Sequence, residues 1–264
     1  IKGDISNTRK VQHILKKFRP IFIINFAAES HVDRSILYPE EFVNTNIVGT
    51  FRFLESVNNY FSKLNEEEKA KFRFMHISTD EVYGSLKVND LPFKEENKYF
   101  PNSPYSASKA SSDHIVRSFY KTYGLPILIS NCSNNYGPYQ AIEKLIPLTI
   151  FNALNKLKIP VYGNGNNIRD WLFVTDHCEA IELILLKSDI GEVYNIGGSN
   201  EIKNIDVVKT ICKHLDHLVP INNNKINHYQ DYITFIKDRP GHDYRYSVDA
   251  TKITSKLGWE PKTI

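Results

Sequence analysis

The sequence predicts an α/β protein built on a doubly wound parallel sheet, with a smaller lobe formed by the second half of the chain. Three observations predict it. Short apolar runs alternate with amphipathic segments of helical period through the first half. The polar motifs begin where the apolar runs stop, and sheets of this kind bind ligands outside the carboxyl ends of their strands. After Gly137-Pro138 the alternation becomes less regular, as expected of a second lobe.

The elements follow in order. Val11, Ile14, Leu15 and Phe18 recur at helical spacing, and Pro20 stops that helix. Ile21 to Phe26 reads as a buried strand. A long helix over Glu40 to Phe61 carries the stripe Val43, Ile47, Phe51 and Leu54. Phe72 to Ile77 is a second strand, and Gly84 to Pro104 a polar loop. Tyr105 to Tyr123 is a helix closed by Gly124 and Pro126, and Ile127 to Ser130 a third strand. Crossovers between such parallel strands are right-handed. Beyond Gly137 the pattern predicts a helix over Glu143 to Leu157, a strand at Ile159 to Tyr162, and a turn containing Gly163 and Gly165. Asp176 and Glu179 are spaced as a capping pair. A strand at Val193 to Ile196 and a helix bearing Val208, Ile211 and Leu215 complete the pattern. The expected division is 1–138 for the sheet domain and 139–264 mainly for the lobe, with returning sheet strands interleaved.

Composition narrows the function. The chain has 264 residues, 41% hydrophobic and 24% charged, and a net charge of +3. Its basic residues are scattered, so no nucleic-acid footprint is expected. The apolar run Ile21 to Ala28 is far shorter than the roughly 20 residues that cross a bilayer. Cys132, Cys178 and Cys212 are odd in number and far apart, which fits reduced thiols in the cytoplasm. No metal site is expected. The chain opens on Ile1 and runs into Gly3-Asp4-Ile5, which reads as a start within a domain.

Two motifs carry chemistry. Tyr105 and Lys109 lie four apart on one helix face, and an ammonium near a phenol favours the phenolate. The spacing alone is weak: the chain has 15 tyrosines, and Tyr83 with Lys87 repeats the pattern. That pair falls in a turn at Gly84, whereas Tyr105 opens a helix. The second motif is Ser78-Thr79-Asp80-Glu81, where two carboxyls at a strand mouth can supply an acid and a base; solvated loop carboxylates are the ordinary alternative. Asn25 to Ser35 adds small residues that admit close approach of a ligand, or simply pack strand on helix.

Together these segments resemble the extended short-chain dehydrogenases acting on sugar nucleotides. Ser78 to Gly84 (S-T-D-E-V-Y-G) and Tyr105 to Lys109 (Y-S-A-S-K) carry the general resemblance, and the Asp-Glu pair is similar to the 4,6-dehydratases. Ala27 to Ser35, Asn131 to Tyr139 (N-C-S-N-N-Y-G-P-Y) and Asp238 to Asp243 (D-R-P-G-H-D) resemble the dTDP-glucose branch. The resemblance runs from Gly3 to Trp259 and implies a Rossmann-type sheet, NAD as cofactor, dTDP-glucose as substrate and a homodimer formed through the two long helices.

It also implies roles. Tyr105 takes the C4 hydroxyl proton while hydride leaves C4; Lys109 holds the phenolate and the nicotinamide ribose. Thr79 hydrogen-bonds the C4 oxygen, Glu81 removes the C5 hydrogen, and Asp80 protonates the departing C6 hydroxyl. The NAD positions by motif are Asp4, Ile5, Phe26, Ala27, Ala28, Ser30, Thr45, Tyr105, Lys109 and Asn134. For the nucleotide sugar they are Ser30, Thr79, Asn134, Glu143, Lys144 and Leu145, then Pro160, Tyr162, Arg169, Asn204, Arg239 and His242. Arg169 and Arg239 suit a diphosphate, since a guanidinium matches phosphate bidentately; a salt bridge is the ordinary role of any one arginine.

The family's G-x-x-G-x-x-G loop does not occur in this sequence, and Gly163 and Gly165 do not form it. The expectation is therefore a first strand, Ile21 to Phe26, with an exposed edge, and weak NAD binding by this chain alone. The alternatives are a UDP-sugar epimerase or decarboxylase, a GDP- or CDP-sugar dehydratase, and a non-catalytic sugar-nucleotide-binding module. The Asp80-Glu81 pair speaks against an epimerase, which expels no hydroxyl.

Overall fold

The computed structural model describes residues 1–221 and 227–263. Its first half alternates helix and strand: α1 (Thr8–Phe18), β1 (Phe22–Asn25), α2 (Val32–Leu37), α3 (Pro39–Phe42), α4 (Thr50–Phe61), α5 (Glu66–Lys71), β2 (Arg73–Thr79), α6 (Pro104–Tyr123) and β3 (Ile127–Cys132). The second half adds β4 (Asn134–Tyr136), α7 (Leu145–Leu154), β5 (Ile159–Tyr162), β6 (Ile168–Phe173), α8 (Val174–Lys187) and β7 (Val193–Ile196). It ends with β8 (Glu201–Lys203), α9 (Asn204–Leu218), β9 (Ile233–Ile236) and α10 (Thr251–Leu257).

β1, β2, β3 and β7 form a parallel sheet in the order β1-β2-β3-β7. The two-residue period of a strand sends alternate side chains to opposite faces, and each face finds its own helices. Phe74, Ile127 and Ile129 pack with Val11 and Leu15 of α1, Leu54 and Val57 of α4, and Val116 and Phe119 of α6. Met75, Ile77 and Leu128 pack on the other face with Ala180, Ile181 and Ile184 of α8 and with Ile253 and Trp259. Helices on both faces make the sheet doubly wound, as predicted. A separate core joins α7, β5 and α9 through Ala153, Ile159, Val208 and Cys212.

The long helix predicted over Glu40 to Phe61 is interrupted. Val43–Gly49 forms a π-helical stretch between α3 and α4. Its wider turns change the phase of the helix, so Val43 (45% exposed) and Phe51 (41%) leave the predicted stripe while Leu54 stays buried. The same shift turns Asn46 inward, where its amide bonds both the N–H and the carbonyl of Glu29 and the hydroxyl of Ser108. Asp176 is not a helix cap. Phe173 holds that position, and Asp176 instead accepts the backbone N–H groups of Lys262 and Thr263. β1 lies at the sheet edge with Phe22, Ile24 and Phe26 exposed on or beside it.

α6 is closely specified. Ser103 caps it reciprocally with Ser106, Pro104 occupies the first turn, and Gly124 closes it in the left-handed conformation. Such a cap contributes about 1 kcal/mol. This fixes where Tyr105 and Lys109 begin.

Candidate active site

The carboxyl end of β2 leads through Thr79 directly into a tight 3-10 turn, Asp80–Tyr83. Thr79 caps the turn by accepting the Glu81 N–H at 3.3 Å, and Gly84 (φ +91°) exits it. A Cβ at Gly84 would lie 2.4 Å from the Phe100 carbonyl oxygen, so only glycine lets the loop close against the turn. Tyr83, half of the decoy pair, is buried and bonded to Asn195 and Asn131. Tyr105, at the start of α6, is buried within range of the Thr79 hydroxyl and of both carboxyls.

Asp80 and Glu81 are neighbours in different surroundings. Asp80 is 2% exposed, and its Oδ2 has no hydrogen-bond partner. Burial, then the charges of Glu81 and Asp170, push its carboxyl well above the usual carboxylate range. Glu81 is also raised by burial, but the guanidinium groups of Arg239 and Arg169 and the Lys144 ammonium pull against it. Both carboxyls are raised, Asp80 the more strongly and Glu81 against the pull of three cations, which divides the pair into the better proton holder and the better base.

Tyr105 does not follow the expectation drawn from its lysine neighbour. Burial first, then the Glu81 carboxylate, drive the phenol well above its ordinary range. Lys109 is not among the groups that act on it most, and its ammonium donates to the Ile77 carbonyl at 2.7 Å.

Many of the other predicted positions gather in one cavity of about 410 Å³ that reaches Glu81. Ser30 enters it from the segment after β1, and Asn134 from the start of β4. Glu143, Lys144 and Leu145 come from the start of α7. Pro160 and Tyr162 of β5, Arg169 of β6, Asn204 at the start of α9, and Arg239 and His242 follow, leaving Thr79 as the predicted position outside the lining. The Oδ1 of Asn134 and the Nε of Arg239 are buried without partners, polar atoms that a ligand could engage. Arg239 also binds Asp33 at 3.1 Å, and Tyr162 donates to the same carboxylate at 2.9 Å. Arg169 stacks 4.4 Å from the centre of the Tyr246 ring and donates to the Asp243 carbonyl. His242 bonds Asp238 at 2.6 Å.

The positions assigned to a dinucleotide are more spread. Phe26, Ala27 and Ala28 follow the carboxyl end of β1, and Thr45 sits in the π-helical stretch. Asp4 and Ile5 line a different hollow beside α1, with Val11 and Ile23. The buried, unpartnered Oδ1 of Asn134 and the small Ala27 and Ala28 after the carboxyl end of β1 suit the nicotinamide end of NAD.

Several site residues escaped sequence reasoning. Tyr246 lines the cavity, lies 3.4 Å from Glu81 Oε2 and donates to Asp243. It follows the Asp238-Asp243 motif by three residues, so an aromatic residue in that polar run was the available signal. Asp33 was read only as part of a motif, and nothing in the sequence paired it with residues 129 and 206 positions away.

Comparison with known proteins decides the family. The sequence pattern of the GDP-mannose 4,6 dehydratase family matches residues 1–264. The dTDP-glucose 4,6-dehydratase of Haemophilus influenzae is 53% identical over 261 residues, covering 99% of this chain and 77% of that protein. The chain belongs to the dTDP-glucose 4,6-dehydratase family. DesIV, the dTDP-glucose 4,6-dehydratase of Streptomyces venezuelae solved with NAD bound, superimposes with a TM-score of 0.87 at 40% identity. The Bacillus anthracis dTDP-glucose 4,6-dehydratase, solved in complex with NAD, gives 0.82 at 44%. The chain is covered to 99% and 100% in these two superpositions and spans 74% of each relative. No helix among the described residues is long and apolar enough to cross a membrane, and no cluster there could hold a metal ion.

Proposed function

We propose that this chain dehydrates dTDP-glucose to the 4-keto-6-deoxy sugar nucleotide, for deoxysugar (rhamnose-type) biosynthesis. The observation that carries the proposal is the Asp80-Glu81 pair: two adjacent carboxyls beside a buried phenol, one buried where carboxylate repulsion outweighs the pull of Arg169 and one facing three cations. The substrate assignment rests on the relatives' own substrate and on the cavity that opens from Glu81.

Tyr105, with Thr79 beside it, is assigned the proton of the C4 hydroxyl as C4 becomes a ketone; burial and Glu81 disfavour the phenolate this requires, and the positive nicotinamide of bound NAD would favour it. NAD, when bound, supplies the hydride acceptor for that step and the hydride donor for the last one. The ketone acidifies C5–H, and Glu81, whose anion is favoured by Arg239, Arg169 and Lys144 against the effect of burial, removes that hydrogen. Asp80 carries the proton that lets the C6 oxygen depart as water. Glu81 then returns its proton to C5 as C6 is reduced. Arg169 and Arg239 are placed to receive the diphosphate, and Tyr246 orients Glu81. Tyr105, Lys109 and Asn134 hold the nicotinamide end, Phe26, Ala27, Ala28, Ser30 and Thr45 extend that site along the sheet mouth, and Asp4 and Ile5 serve the adenine end.

In this reading residues 1–138 are the NAD-binding portion and residues 139–264 mainly the substrate lobe. The enzyme is a cytoplasmic homodimer docked through the helices of residues 39–61 and α6, where Val43, Phe51 and Tyr123 present exposed apolar side chains.

The test is incubation of the purified chain with saturating NAD and dTDP-glucose, UDP-glucose or GDP-mannose. Formation of a 4-keto-6-deoxy product, read by its absorbance in alkali, is expected with dTDP-glucose. Absence of product from dTDP-glucose overturns the reading, and equal turnover of another nucleotide sugar overturns the substrate assignment.

A further inference from the structure

Behind Lys109 lies a closed set of polar side chains that the mechanism above does not use. β2 presents Phe74, His76 and Ser78 to α6; the first belongs to the core, while the other two are polar and 1% and 4% exposed. Opposite them on α6 are Lys109, Ser112 and Asp113, all buried. Asn25 of β1 is the direct cross-strand neighbour of His76.

The bonding fixes the imidazole. Asn25 Oδ1 accepts the Ala27 N–H at 3.2 Å, so its amide nitrogen faces His76 Nδ1 at 3.3 Å, and Nδ1 must offer a lone pair. Ser112 commits its one hydroxyl hydrogen to the Lys109 carbonyl at 2.8 Å and therefore accepts from His76 Nε2 at 3.1 Å. His76 is thus a neutral imidazole with its proton on Nε2. Burial and the nearby Lys109 ammonium both oppose a second proton.

Lys109 Nζ and Asp113 Oδ1 both approach His76 Nε2, at 3.5 and 3.4 Å, so with the imidazole neutral this carboxylate is left to balance the ammonium. Asp113 Oδ2 accepts from Ser78 at 2.7 Å, while Oδ1 is buried without a hydrogen-bond partner, 3.4 Å from His76 Nε2. We propose that Asp113, bonded by Ser78 and set beside His76 one helical turn beyond Lys109, is a positioning residue that keeps Lys109 charged where it donates to the Ile77 carbonyl. The role assigned to Lys109 rests on the function proposed above, but the Asp113–Lys109 coupling does not.

The charges around Lys109 support it. Burial pushes the ammonium below its usual range, and Asp113 is the first group opposing that fall. Asp113 is itself raised to about 6 by burial, with Lys109 the first group pulling it back. The remaining titratable neighbours are His76 on β2 and Cys132 on β3, with Tyr99 reaching Asp113 from the loop before α6. His76 is neutral, and burial pushes the Cys132 thiol to about 12, so Asp113 is the anion of the group at neutral pH.

The experiment is an NMR titration of the purified chain labelled in lysine with ¹³C and ¹⁵N, following the Lys109 side chain, assigned through Lys109→Arg. In Asp113→Asn the Lys109 midpoint should fall by about 1 pH unit or more, the size of effect expected from losing a nearby opposite charge. Asp113→Glu should keep it near the wild-type value. An unchanged midpoint in Asp113→Asn overturns the proposal. Should Asp113→Asn fail to fold, the reciprocal measurement decides: the Asp113 carboxyl, labelled with ¹³C, must titrate higher in Lys109→Gln than in the wild type. An unmoved Asp113 there overturns the proposal equally. None of these readouts needs turnover, so loss of the catalytic reading and loss of this coupling are separable.

Discussion

Replacing Asp80 with asparagine should make the protein more stable and the enzyme far slower. Asp80 is 2% exposed, Oδ2 has no partner, and two further carboxyls act on it. Its folded-state pKa is therefore raised above the ordinary 3.8. Between those two values the folded protein keeps a proton that the unfolded chain has released. Stability from this residue is consequently full at low pH and falls as pH rises from 3.8 through the folded pKa. Each unit of separation costs about 1.4 kcal/mol at neutral pH. Asparagine reproduces the shape of the neutral acid, keeps an acceptor for the Thr79 hydroxyl, which lies 3.2 Å from Oδ1, and cannot ionise. For a chain of this size each kcal/mol gained raises Tm by about 2–4 °C. Thermal unfolding of both proteins at pH 4, 6 and 8 should give nearly equal Tm at pH 4 and a widening advantage for the variant above it. Turnover should fall by about 10²–10⁴-fold, the usual contribution of a general acid. A variant that melts lower than the wild type at pH 8, or a Tm difference independent of pH, would mean that Asp80 is ionised in the folded protein and cannot be the acid.

Other outcomes follow from the same geometry. Glu81→Gln should still oxidise C4, seen as reduced nicotinamide absorbance, yet lose about 10²–10⁴-fold in water elimination and take up no solvent deuterium at C5; full turnover would contradict the base assignment. Brief alkylation of the native protein at pH 8 should label the exposed Cys178 and spare Cys132 and Cys212, whose thiols burial pushes up to about 12 and about 11, as peptide mass spectrometry would report. Gly198→Ala should destabilise the fold by about 1–3 kcal/mol in denaturant unfolding, because a Cβ there would stand 1.9 Å from the Trp171 carbonyl oxygen. The strain falls on β6, which carries Arg169, so KM should rise as well.

What the sequence made legible was whatever repeats on a short period or sits in a contiguous run. The three strands of the first half and α6 came from apolar period and from Pro104 and Gly124; the acid pair came from its place at a strand mouth. The interruption at Val43–Gly49 was not readable, since a π-helical stretch uses ordinary residues and reveals itself only as a misplaced phase. The same limit explains the polar set behind Lys109. Asn25, His76 and Ser112 are separated by 51 and 36 residues, and no local pattern links them; parallel pairing of β1 with β2 brings the first two side by side, and α6 lies across both. In a strand such as Arg73–Thr79, polar residues at alternate positions would ordinarily mark a solvent face. Here that face is buried, so the alternation Phe74, His76, Ser78 signals an internal polar network. Adjacent carboxyls can thus diverge in chemistry, because β6, the start of α7 and the segment after β9 bring Arg169, Lys144 and Arg239 to Glu81, while at Asp80 two carboxylates outweigh Arg169. The chain order supplies the pair, and only the packing makes one of them an acid.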